Sequence, residues 1–309
     1  MKPIGPQHIF ILFAISGLLA ACEDPLNPKS YEVLPKLVVH SNFTAGKPVE
    51  VMVSRTRPVL APDMPLVVEM ATVELLQNGL LVETLTEIPG GLGGKSVFRT
   101  KDYLPEANVP YTLRVAAEGF KTVSARSIIP APVKLQNLEM VDWSEQVLGN
   151  TRTYKMQVAL EIEDPAAGDK FYHLKFRQQI LTWRAVGTDT LLTKQEQVPL
   201  NIVEGNTLPL ERSFFEGGVL LPEDKATPSV QRLVFDLELK TPLQSDQKLG
   251  RMLVEFRTVS EDYYRYYHAI GKSPQNLPTE EPVTIYSNLD YGQGVFAGYN
   301  TAVDSLLIQ

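Results

Sequence analysis

Along most of the chain, apolar residues alternate with polar ones at the period of two that a half-buried strand imposes. Val49, Val51 and Val53 alternate with Glu50, Met52 and Ser54, and Tyr111, Leu113 and Val115 with Thr112, Arg114 and Ala116. Leu37 to Val39 with Phe43, Val73 to Leu75, Leu80 to Thr84, Val97-Phe98 and Val123 to Ile128 complete a first set of short strands. Asn78-Gly79 separates two of them, a hairpin signal because both turn residues accept positive φ.

Pro130-Ala131-Pro132 ends this run, since proline gives no donor to a ladder and restricts the residue before it. Beyond it lies the cleanest alternation in the chain. Tyr154, Met156, Val158, Leu160 and Ile162 point one way, and Lys155, Gln157, Ala159, Glu161 and Glu163 the other. Tyr172-Leu174-Phe176, Leu233-Phe235-Leu237-Leu239 and Met252-Val254-Phe256 repeat the theme. A single stretch breaks it: Ser260-Glu261-Asp262, then Tyr263, Tyr266, Tyr267 and Ile270, closing at Gly271. Cap, acidic first turn, helical spacing and glycine stop are in order for a short helix. The pattern predicts a mainly β protein of two antiparallel β-sandwich domains, 37–131 (immunoglobulin-like or transthyretin-like) and 132–309, with one short helix laid against the second.

Residues 1–36 read differently. Lys2 precedes a 13-residue apolar run from Ile9 to Ala21, too short for a membrane span of roughly 20 residues and ordered as a secretory signal. An ordinary cut after Ala21 would place bulky Leu19 where a small residue is required. Leu19-Ala20-Ala21-Cys22 instead resembles the lipobox of bacterial lipoproteins, and Cys22 is the only cysteine of the chain. A lone thiol has no partner to pair with in an oxidising compartment, whereas acyl chains on it anchor the mature protein stably. Residues 1–21 are thus expected to be a signal peptide and 22–36 a lipidated cysteine and proline-broken tether. Glu23 and Asp24, directly behind the cysteine, resemble the signal that exports Bacteroidetes lipoproteins to the cell surface. The expected location is the outer membrane, on its outer face, with the periplasmic face as the alternative.

Loss of Lys2 with the signal moves the formal charge from −7 to −8. The excess is spread through the second part, and no basic footprint for nucleic acid exists. Of four histidines, His8 leaves with the signal, and His40, His173 and His268 lie far apart in sequence. Neither a zinc motif, a serine-hydrolase elbow nor a phosphate loop is present, and Gly292, Gly294 and Gly298 lack dinucleotide spacing. The sequence therefore predicts no catalytic residue, no metal and no cofactor beyond the lipid on Cys22. Tyr263, Tyr266/Tyr267 and Ile270 share a helical stripe suited to core contact, which leaves Tyr264 as the exposed ring. Tyr264 and Tyr267 are the candidates for contact with a ligand or partner, because tyrosine offers a flat apolar face with a polar tip.

The segments Val259-Ser260-Glu261-Asp262-Tyr263-Tyr264, Glu281-Pro282-Val283-Thr284-Ile285-Tyr286-Ser287-Asn288 and Gly294-Val295-Phe296-Ala297-Gly298-Tyr299 resemble a Bacteroidetes lipoprotein family catalogued as a domain of unknown function, DUF4249. Leu289-Asp290-Tyr291-Gly292-Gln293 departs from the more glycine-rich run expected there. The resemblance implies a β-rich lipoprotein encoded near TonB-dependent outer-membrane receptors, and no catalytic residue. It favours an accessory or ligand-binding partner of such a transport system; a structural or adhesive envelope protein is the alternative, and a hydrolase of envelope polymers a third class. Asp189-Thr190-Leu191 and Asp304-Ser305-Leu306 look like O-glycosylation acceptors of that phylum.

Overall fold

The computed structural model describes residues 34–57, 63–88, 95–163, 171–203, 211–213, 218–222, 230–271 and 285–308. The first half contributes β1 (Leu37–Thr44), β2 (Glu50–Arg55), β3 (Thr72–Gln77), β4 (Leu80–Thr84), β5 (Thr86–Ile88), β6 (Ser96–Arg99), β7 (Pro110–Ala116) and β8 (Val123–Ile128). Long strands follow: β9 (Lys134–Leu148), β10 (Thr151–Glu163), β11 (Phe171–Val186) and β12 (Asp189–Pro199). The chain continues through β13 (Asn201–Ile202), β14 (Glu211–Ser213), β15 (Gly218–Pro222), β16 (Val230–Pro242) and β17 (Gln247–Val259), then α1 (Glu261–Gly271) and β18 (Gln293–Leu307). The protein is mainly β, with one short helix among the described residues, as the alternation requires. Asn78 and Gly79 both take positive φ (50° and 82°) between β3 and β4.

Two small sheets, β4-β3-β7-β8 and β13-β16-β10-β9, pack against one large sheet ordered β14-β15-β11-β17-β18-β1-β2-β6-β5, with β12 also on β11. Each small sheet closes a hydrophobic core. One gathers Val39, Val51, Val73, Leu113 and Val123; the other gathers Met156, Leu160, Phe176, Phe235 and Phe256. The pairing is antiparallel except at one seam. There β18 runs parallel to β1 from Val38↔Gln293 to Thr44↔Tyr299, then pairs antiparallel with β17 from Val259↔Tyr299 onward.

This seam crosses the division that the prolines mark along the chain. Ile129 belongs to the first core and Val133 to the second, yet Leu289 and Phe296, from the end of the chain, lie in the first. Phe296 stacks on Phe43 with ring centroids 4.3 Å apart and planes 6° from parallel. Tight backbone approach makes the crossing feasible: a Cβ on Gly298 would stand 2.2 Å from the Ile128 carbonyl oxygen, and one on Gly294 2.0 Å from that of Val39.

Helix α1 lies on the opposite face of the large sheet. Its Ser260 cap works through both atoms expected: the Tyr263 N–H donates to Ser260 Oγ (3.3 Å) and the Tyr264 N–H to the Ser260 carbonyl (3.1 Å). Tyr263 and Tyr267 pack with Leu220, Val259, Val295 and Ala297 in a third, smaller cluster. The helix therefore sits over the seam and reaches β1, rather than resting on the second sandwich alone. No helix of the described residues is long and apolar enough to cross a membrane.

Candidate functional site

The period of two places His173 and Lys175 on the face of β11 opposite Tyr172, Leu174 and Phe176, and likewise Val38, His40 and Asn42 opposite Leu37, Val39 and Phe43. The second face of the large sheet is where α1 lies, so these polar residues meet its tyrosines. His173 Nδ1 lies 2.8 Å from the Tyr263 hydroxyl, which also accepts from Arg257 Nη1 at 2.9 Å. Arg257 in turn donates to Glu255 (2.7 Å) and covers the Tyr299 ring at 4.6 Å. The hydroxyl can donate to His173 Nδ1 or accept from its N–H, according to the imidazole tautomer, while holding the bond from the guanidinium.

One turn along, Asn42 Nδ2 donates to the Tyr267 hydroxyl (2.5 Å), and that hydroxyl is 3.3 Å from His40 Nε2. His268 stacks on Tyr264 at 5.4 Å. His40 and His173, remote in sequence from the helix, and His268 on it thus all contact tyrosines of α1. Among the described residues, no group of three His, Cys, Asp or Glu side chains could hold a metal ion.

Beside this cluster a half-open groove of about 330 Å³ runs between α1 and the outer face of β1 and β2, lined by Val38, His40, Met52, Ser54, Lys95, Tyr266, Tyr267 and Ile270. Its volume falls in the range of small-molecule pockets, roughly 300–1,000 Å³. Burial raises the Tyr266 phenol above its ordinary pKa, so the ring stays neutral at the groove wall. At the start of the helix, the Tyr286 hydroxyl donates to Asp262 Oδ1 (2.6 Å). Burial pushes the Asp262 carboxyl above its usual range, with Glu261 adding to this while bonds from Tyr286 and Asn288 and the charge of Arg265 oppose it. Burial and the bond to Asp262 push the Tyr286 phenol up to about 12.

The residues expected to carry function distribute unevenly. Cys22, Glu23 and Asp24 lie outside the described residues. Tyr267 is buried through its ring while its edge lines the groove. Tyr264, expected to be the exposed ring, is half-buried: it stacks on Phe171 at 4.6 Å and on His268. Tyr266 and Ile270, expected in the core stripe, are half-buried, because no described residue covers the flank of α1 toward β1 and β2 and they form the groove wall. The sequence did not single out His40, Ser54 or Lys95 as groove residues. Strand parity alone puts His40 and Asn42 on one face, but the face acquires meaning only once α1 is docked there.

The matched family model covers residues 23–305, which takes in every described strand, the helix and nearly all of β18. The chain belongs to the family described as Domain of unknown function (DUF4249). No curated protein matches it. In this DUF4249 protein, the matched span contains the whole groove and both partners of the β1–β18 seam. The segment around Asn288 that carried the resemblance also has a structural task. The Asn288 amide donates to the Phe296 carbonyl (2.8 Å) and accepts from the Phe296 N–H (3.0 Å), taking the place of a neighbouring strand.

Proposed function

We propose that this protein is an outer-membrane lipoprotein, anchored by lipid on Cys22 and facing the cell surface. In this reading it binds a small ligand in the α1 groove as an accessory of a TonB-dependent transport system. The groove carries the reading: aromatic and aliphatic walls with a few convergent polar groups are the usual make-up of a small-molecule site. The lipobox supports the anchor, and Glu23-Asp24 the outward orientation. Co-purification from detergent-solubilised outer membranes is the test. The full-length chain should bring a TonB-dependent receptor with it, and Cys22→Ala should leave the chain unprocessed and outside the acylated fraction. Surface exposure predicts degradation by protease added to intact cells. Recovery of no receptor from wild type would remove the transport reading.

One observation favours the structural or adhesive alternative. The far ends of the long hairpins expose Leu148, Val186, Leu191 and Leu192. β11 runs 16 residues from Phe171 beside α1 to Val186, roughly 50 Å at the rise of a strand. Exposed apolar groups there suit protein contact. Altered cell attachment with unchanged nutrient uptake on deletion of the gene would favour this second reading over the first.

A further inference from the structure

The groove walls are chemically lopsided. Val38, Met52 and Ile270 with the rings of Tyr266 and Tyr267 supply an apolar lining, while the polar contribution comes from His40, Ser54 and Lys95. None of the described lining residues is acidic. In a chain of net charge −7, this places one cation in a concave, partly desolvated setting. Lys95 makes no ion pair among the described residues. Ser54 is buried and brings a hydroxyl that can donate, and an ammonium group donates only. Low local dielectric strengthens the pull of such donors on an anion and makes a second cation unwelcome. The apolar lining, in turn, is wasted on an inorganic anion and poorly matched to a sugar, whose hydroxyls need many partners.

We infer that the α1 groove takes a small organic acid. Its carboxylate is held by Lys95 and Ser54, and its apolar body lies against Tyr266, Ile270, Met52 and Val38. This rests on the reading of the groove as the ligand site and adds the chemical class of what occupies it. Tyr267 is a positioning residue here: tied to Asn42 and His40, it fixes the floor against which the body packs.

The full-length chain, purified with its lipid in a detergent of low critical micelle concentration, can be titrated calorimetrically with 3-phenylpropionate, octanoate and 3-phenylpropionamide. The acids should bind, and the neutral amide about tenfold more weakly or worse, the usual effect of losing a charge-assisted contact. Lys95→Met should weaken the acids by about the same factor and abolish the preference over the amide. Ile270→Trp, which fills the groove, should remove binding of both. Circular dichroism melts of the variants that match wild type exclude misfolding as the cause. A tighter fit for octanoate assigns an acyl chain as the source of the acid, and a tighter fit for phenylpropionate a free aromatic acid. Equal binding of acid and amide, with Ile270→Trp still abolishing both, overturns the acid class but leaves the groove as a ligand site. Binding unaffected by Ile270→Trp, or no binding of any probe to wild type, overturns the inference outright; the transport reading then stands or falls on receptor co-purification alone.

Discussion

A handful of single residues decide whether β18 can lie where it does. Asn288 supplies a donor and an acceptor to the backbone of Phe296 on the side where no strand reaches. Replacing it with alanine orphans both groups in a half-buried place, and unfolding in urea should show a loss of about 2 kcal/mol, the usual cost of an unsatisfied pair. Unchanged stability of Asn288→Ala would mean that water replaces the clasp. The glycines give a sharper contrast. At Gly298 an added Cβ meets the Ile128 carbonyl at 2.2 Å, whereas at Gly46 nothing lies within 4 Å and only its φ of 70° matters. Gly46→Ala should therefore cost about 1 kcal/mol, and Gly298→Ala several times as much or the folded state itself. Equal melting temperatures for the two variants would contradict the close approach. The sequence showed Gly298, with Gly292 and Gly294, plainly enough to reject a dinucleotide motif. It could not show which backbone would press against Gly298, because the segment beside it lies some 170 positions away.

At the scale of elements, the start of α1 was legible: cap and acidic first turn appear in the sequence in the order in which the structure uses them. Its docking was not legible, since a hydrophobic stripe says that a helix is covered without saying by what. The helix start also carries the clearest pH response. Asp262 holds its proton more tightly in the fold than in the open chain. Its contribution to stability is thus whole below the ordinary aspartate value of about 3.9 and is lost as pH rises through the raised value. The difference in urea midpoint between wild type and Asp262→Asn should shift against wild type as pH rises from about 3 toward neutrality. A difference that stays constant over that range would show that Asp262 titrates normally. Tyr286, pushed up to about 12, has the same sign, so stability should fall again as pH climbs from about 10.

For the whole molecule, the parallel seam makes the two cores interdependent. The sequence suggested two sandwiches in series, and a chain of that kind would melt in two steps. Here Phe296 completes the first core from the far end of the chain, so thermal unfolding should follow one transition with coincident probes. Phe296→Ala should lower stability by about 3–5 kcal/mol and perturb resonances around Phe43. Residues 34–131 expressed alone should give a poorly dispersed NMR spectrum, because β1 would keep an unpaired edge and an unfilled core; a well-dispersed spectrum would show the first sandwich to be autonomous. While β9, β12 and β18 went unread, the sequence by itself determined the β class, the short strands of the first half apart from β5, the alternating parts of β10, β11, β16 and β17, the Asn78-Gly79 turn and the helix with its cap. These follow from residues close together in the chain, whose periodicity and turn chemistry are local. Only the tertiary structure decided the route of β18, the meeting of three histidines with the tyrosines of α1, and the groove beside them. The seam and the groove join segments more than two hundred residues apart, and alternation along a strand tells which residues share a face but not what that face will meet.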